Sequence, residues 1–155
     1  MARMTTSKHI DAPTDVVFNL MTDLDQVDSR ISSIVCLEKL TDGPVGVGTR
    51  FRETRVMFGK EATEEMEFTT FEVGKSYTVE CESCGAHYAM HHEFSPDGGG
   101  TLIKVTFDMK SLSFLAKVMA PMGKLMAKSC MKAFDKDLEE IKALAEGRST
   151  AATPA

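Results

Sequence analysis

Tryptophan is absent from this sequence, and its 155 residues include only two tyrosines, five prolines and four cysteines. Cys36, Cys81, Cys84 and Cys130 are too few to staple a chain of this length, which excludes a disulfide scaffold. Long apolar runs are missing as well. The nearest, Ser111 to Met126, is interrupted by Lys117 and Lys124 and falls short of the ~20 apolar residues of a membrane span, so no stable membrane insertion is expected. The opening residues Met1 to His9 lack the apolar stretch of a secretion signal, and the expected compartment is the cytoplasm. No internal repeat is found, nor any Gly-x-Gly-x-x-Gly, phosphate-binding loop, Gly-x-Ser-x-Gly or His-Glu-x-x-His. No cofactor is indicated. Positive charge is in short supply: 18 Lys and Arg stand against 23 Asp and Glu, giving a formal net charge of −5 and a pI near 5.4. Basic residues are not interleaved with aromatics, so nucleic acid is not an expected partner.

What is present is an ordinary globular composition, 43% hydrophobic and 26% charged, in a chain of one-domain length that buries about two-thirds of its surface on folding. The domain is expected over residues 1–146, with a fraying tail over 147–155. Met4 to Ile10 reads as a strand. Asp11-Ala12-Pro13-Thr14-Asp15 is a helix-start signal, with Asp11 or Thr14 as the expected cap. A short helix follows on Val16, Val17, Phe18, Leu20 and Met21, and a second is expected over Leu24 to Ile31. From residue 33 to 111 the apolar period becomes two, which predicts about six antiparallel strands with one apolar face each. In the first run, Ile34, Cys36 and Leu40 are the apolar members. The Phe51–Met57 strand closes at Phe58-Gly59-Lys60. Met66 and Phe68 are followed by Phe71 and Val73 on the opposite parity, which predicts a bulge at Thr69-Thr70. Pro96-Asp97-Gly98-Gly99-Gly100 is the strongest turn. The last element is a long helix whose broad apolar face holds Leu115, Met119, Met122, Met126, Ala133, Phe134, Ile141 and Leu144. Pro121 either kinks it or starts it.

The segment Ile10-Asp11-Ala12-Pro13-Thr14-Asp15-Val16-Val17-Phe18, the later Gly46-Val47-Gly48-Thr49-Arg50-Phe51, the Gly-rich turn before Thr101 and the long final helix containing Pro121 resemble START-like domains. The nearest type is the polyketide cyclase/dehydrase and lipid-transport proteins, related in fold to the pollen allergens. The resemblance implies an α+β helix-grip fold: a curved antiparallel sheet of about seven strands around a long C-terminal helix, with two short helices after the first strand. It also implies a cavity between sheet and helix for a small hydrophobic or amphipathic ligand of lipid, polyketide or aromatic type. It transfers no catalytic residue.

The residues expected to face that cavity are Phe51, Glu53, Arg55, Met66, Phe68, Val79, Tyr88, Met90, His92, Val105, Phe107 and Met109 from the sheet, and Met119, Met122, Met126 and Phe134 from the helix. Alternating apolar residues are most often plain core, but eleven methionines suit a pocket that repacks around its contents. The parity of the Phe51–Met57 strand leaves open whether Glu53 and Arg55 point inward. His92 shares a face with Tyr88, and the two are the acid–base candidates if the protein is a cyclase or dehydratase. A core histidine bonded to a neighbour is the ordinary alternative. A third possibility is an interaction module with a filled core. Cys81-x-x-Cys84-x-x-His87-x-x-x-His91 offers zinc-type ligands, but the spacing matches no familiar finger. The ordinary reading has Cys81 packed, Cys84 in a turn, and His87 and His91 toward solvent. Lys117, Lys124 and Lys128 fall within ~40° on the last helix. A solvated face is the ordinary reading, and an anionic membrane surface the alternative. The chain is expected to be a monomer or homodimer.

Overall fold

The computed structural model describes residues 2–147 other than Phe58 and Cys84. Those two residues and the expected tail beyond Gly147 lie outside it. In chain order the elements are β1 (Ala2–Ile10), α1 (Thr14–Thr22), α2 (Val27–Arg30), β2 (Ile34–Lys39), β3 (Arg50–Met57), β4 (Lys60–Glu72), β5 (Ser76–Ser83), β6 (Ala86–Asp97), β7 (Gly100–Ser111), α3 (Phe114–Val118) and α4 (Ala120–Ala145). The seven strands form one antiparallel sheet in the order β1-β7-β6-β5-β4-β3-β2. Period-two alternation fixes which face of each strand is buried. In β7, Ile103, Val105 and Phe107 are buried, while Lys104 and Lys110 face water. The expected bulge in β4 is present: the register against β5 shifts between Phe68 and Thr70. The extra residue turns both Phe68 and Phe71 toward the core. Val73, expected to continue that run, lies past the strand end and is exposed. A second shift, between Ile34 and Cys36 in β2, carries Cys36 to the outside and brings Leu37 to the core side. Leu40 falls just beyond that strand.

Helix α1 starts without the side-chain cap expected from Asp11 or Thr14. Pro13 occupies the cap position, and its carbonyl accepts from the Val17 N–H at 3.1 Å. Asp11 lies instead 2.6 Å from His9 Nε2, and the Thr14 hydroxyl lies 3.1 Å from that of Thr101. Thr101 is fully buried and donates to the Ala12 carbonyl at 2.8 Å, tying the start of β7 to the entry of α1. The preceding Gly100 is required by close approach, since a Cβ there would sit 2.4 Å from the Ile10 carbonyl. Replacing Thr101 with valine keeps the shape but strands the Ala12 acceptor. It should cost about 1–2 kcal/mol and lower the Tm by roughly 4 °C in a circular-dichroism melt. An unchanged Tm would show that the tie contributes nothing.

Pro121 resolves as a helix start. The α3 segment ends at Val118, and α4 begins at Ala120 with Pro121 in its first turn, where the missing N–H costs nothing. Its far end turns off at Gly147 with φ +77°. The C-terminal half of α4 is bound down. Leu138 and Ile141 are buried, Lys8 of β1 reaches Glu139 at 2.5 Å, Lys142 donates to the His9 carbonyl at 2.9 Å, and Glu140 accepts from the Ser32 amide at 3.0 Å. The first turns of α4 are mostly exposed by comparison.

Candidate functional site

Between the concave sheet face and α4 lies a cavity of about 410 Å³. Its inner end is closed by aromatic rings. Phe18 of α1 meets Phe94 at 5.1 Å and Phe71 at 5.5 Å between ring centroids, both edge-on, and Tyr77 packs on Phe68 at 5.3 Å. Such edge-to-face pairs stabilise beyond simple burial. At the other end the lining includes Lys60, Ala62 and Met126, all exposed, so the cavity opens there, below the first turns of α4.

Phe51, Met66, Phe68, Val79, Tyr88, Met90, His92, Val105, Phe107 and Met109 line the cavity, and so do Glu53 and Arg55, whose direction parity left open. From the helix, Met126 and Phe134 do so, but Met119 and Met122 do not. They are 44% and 56% exposed. The 100° count runs from Leu115 straight through Pro121, whereas the chain restarts its helix at Ala120, so the two stretches do not share one face.

The open parity of β3 resolves inward. Arg55 is nearly buried and bridges two carboxylates: its Nε donates to Glu53 Oε1 at 2.9 Å, and its Nη1 to Asp137 Oδ2 of α4 at 2.7 Å. Burial works against the Arg55 charge, but the two carboxylates outweigh it and hold the guanidinium firmly protonated. One cation cannot compensate both acids. Burial, only partly opposed by Arg55, therefore raises the Asp137 pKa to about 6, with Glu53 and Glu140 adding to the rise. The remaining Asp137 oxygen, Oδ1, is buried with no hydrogen-bond partner among the described residues.

On the opposite wall the His92 ring stacks on Tyr77 at 4.5 Å and 17°. Its Nδ1 is likewise buried without a partner among the described residues, and burial lowers its pKa to about 4, so the imidazole is neutral at physiological pH. Burial also pushes the Tyr77 hydroxyl well above its ordinary range, with the Glu53 charge adding to the effect. Tyr88 lies 5.8 Å from Phe107, ring to ring. Two thiols add to the polar content: burial pushes Cys81 up to about 12 and raises Cys130, both on the cavity wall. These are the un-ionised thiols of an apolar setting, not activated nucleophiles.

The zinc-type cluster does not assemble. Cys81 faces the cavity, while on the outer face His87 Nε2 meets Glu80 at 2.7 Å and His91 Nδ1 meets the Thr78 hydroxyl at 2.7 Å. Their alternation along β6 puts the histidines on the side away from Cys81, and both are half-buried rather than free in solvent. Cys84 lies outside the described residues. Among the described residues, no group of three or more His, Cys, Asp or Glu is placed to hold a metal ion.

Asp137 and Cys130 were not anticipated as site residues. A signal for Asp137 exists in its spacing: it sits three residues after Phe134 and four before Ile141, inside the apolar stripe of α4, where a carboxylate needs a partner.

A family model described as polyketide cyclase/dehydrase and lipid transport matches residues 1–146. The chain belongs to this family. No curated protein matches it in sequence. Among solved structures, this member of the family is similar to the Zhui aromatase/cyclase of Streptomyces sp. R1128, with a TM-score of 0.79, 12% identity and coverage of 98% of this chain and 99% of that one. It is similar to a protein of Thermus thermophilus with a TM-score of 0.77, 19% identity and coverage of 94% and 98%. It is also similar to the major latex-like protein 151 of Panax ginseng, with a TM-score of 0.75, 12% identity and coverage of 93% and 97%. At these identities the likeness is one of fold, and the helix-grip architecture of this polyketide cyclase/dehydrase and lipid-transport family is what the chain shares with them.

Proposed function

We propose that the protein binds a small, largely apolar molecule of aromatic, polyketide or lipid type in the cavity, its polar end held by the Arg55 cluster and His92. The observation that carries this reading is a space of about 410 Å³ whose walls are mostly apolar but hold a buried ion cluster and two polar atoms, His92 Nδ1 and Asp137 Oδ1, without partners among the described residues. Apolar walls with a few fixed polar groups are the usual make-up of a ligand site. Buried polar atoms without partners cost stability, and a ligand that pairs them removes that cost. A filled-core interaction module has no use for this space. We place the protein in the cytoplasm, as a monomer or homodimer.

Native mass spectrometry of protein purified from its own host tests the reading. A co-purifying mass of a few hundred daltons is expected, and Met126→Trp at the mouth should weaken uptake of a fluorescent apolar probe such as anilinonaphthalene sulfonate at least tenfold. A clean apo mass with no probe uptake would sink the proposal.

A second reading, a cyclase or dehydratase, is favoured by one observation. Asp137 titrates near 6 and His92 stays neutral, so acid and base forms coexist in one cavity near working pH. In that reading His92 or Tyr88 shares the proton traffic with Asp137. Incubation with the identified ligand should then show loss of one water, abolished in Asp137→Asn while binding persists. Binding without turnover leaves the first reading.

A further inference from the structure

The large apolar side chains described at the start of the C-terminal helical region are left mostly exposed. Phe114 and Leu115 of α3 are 82% and 71% exposed, and Val118, Met122 and Leu125 are each more than half exposed. Soluble surfaces scatter single apolar residues and seldom gather large ones in one place. Phe114 and Val118 lie one turn apart on α3, and Met122 and Leu125 one turn apart on α4, so each of the two successive helices carries an exposed apolar stripe rather than a scatter. The last of these residues, Leu125, is followed directly by Met126, which lines the cavity mouth.

Charge in the same stretch is one-sided. Residues 109–134 contain Lys110, Lys117, Lys124, Lys128 and Lys132 and not one Asp or Glu, in a chain whose net charge is −5. All five lysines are exposed. The lysines at the other end of the grip, Lys8 and Lys142, are by contrast engaged with Glu139 and Glu146.

We propose that this face docks on an anionic phospholipid bilayer, the apolar stripes entering the headgroup boundary, the lysines meeting lipid phosphates, and the cavity mouth turned toward the membrane. An apolar stripe flanked by lysines is the pattern of a helix lying in the interface. The two observations select this occupant. An acidic protein would satisfy the lysines but leave Phe114 and Leu115 in water. A second copy meeting the same face would set the lysines against one another. Among the described residues no helix is long and apolar enough to span a bilayer, so the contact is peripheral. Docking needs no cavity ligand, and it is read whatever the cavity holds.

Flotation of the full chain with vesicles tests it. Binding is expected to vesicles of equal parts phosphatidylcholine and phosphatidylglycerol, with little to phosphatidylcholine alone. It should weaken as salt rises from about 0.1 M to about 1 M and the screening length falls from ~10 Å to ~3 Å. The triple variant Lys117→Gln, Lys124→Gln, Lys128→Gln should lose about a hundredfold in partition. Phe114→Ser with Leu125→Ser should lose binding at both salts. All these side chains are exposed, so the Tm of both variants should stay at the wild-type value. Failure to bind the mixed vesicles at low salt, or partition of either variant equal to wild type, would overturn the proposal. So would a concentration-dependent dimer in sedimentation velocity that Phe114→Ser abolishes while vesicles are ignored.

Discussion

Replacing Arg55 with methionine should lower the Tm by roughly 10 °C at pH 7. The guanidinium is the cation that faces both Glu53 and Asp137, and the side chains of all three are about nine-tenths buried. Removing one partner from a buried ion cluster leaves uncompensated charge and typically costs about 3–5 kcal/mol, and each kcal/mol is worth about 2–4 °C in a domain of this length. The loss should shrink in acid, because Asp137, already titrating near 6 beside Arg55, then takes up a proton and one of the stranded charges disappears. Combining Arg55→Met with Glu53→Gln and Asp137→Asn should recover most of the loss, since no charge is then left unpaired. Thermal melts of the single and triple variants at pH 7 and pH 5 decide it. A single variant as stable as wild type would mean that water in the cavity already solvates the carboxylates.

Opposite pH slopes are expected from His92 and Asp137. His92 is lowered to about 4 in the folded protein by burial, against an ordinary value near 6.5. Below pH 6.5 the unfolded chain binds a proton there that the folded one refuses, so this group's stability is present above 6.5 and is lost as pH falls toward 4. About 2.5 pH units correspond to about 3 kcal/mol. Asp137 is raised from 3.8 to about 6. The folded state takes up that proton first, so its contribution is fully present below 3.8 and lost as pH rises through 6. The two nearly cancel between pH 4 and 6. Urea titrations across that window separate them: relative to wild type, His92→Gln should gain stability as pH falls, and Asp137→Asn should lose it. Parallel curves for wild type and His92→Gln would show that the imidazole is already solvated in the folded state.

Much of this was written in the residue pattern, for a physical reason. Period-two alternation reports directly which side chains a sheet buries, so the inward-facing residues of β4 to β7 were legible from the alternation, the cavity they line was implied only by the family resemblance, and two aromatics three residues apart, Phe68 and Phe71, betrayed the bulge between them. The Glu53–Arg55 strand was not legible, because its inward face is as polar as its outward one and only the packing of α4 chooses between them. Asp137 was hidden by company: among Asp135, Glu139 and Glu140 it reads as one more surface acid, and its burial follows from a partner 82 residues away. Met119 and Met122 failed for the opposite reason. Hydrophobicity at the right spacing says that a side chain seeks cover, not that the protein itself supplies it.

The sheet order also sets a timetable. The first strand made, β1, pairs only with the last, β7, with Ala2 opposite Met109. At about 5–20 residues per second, the ribosome keeps the N-terminal strand waiting for roughly 5–20 s before its neighbour exists. Throughout that interval the β2–β6 meander can zip up hairpin by hairpin, while β1 stays unpaired until β7 is made and the underside of the sheet stays open until the last helix emerges to cover it. Closure of the grip therefore waits on the last helix. Truncations that remove the end of α4, with the Lys8 and Lys142 ties, should yield a chain that forms its hairpins but never closes its grip.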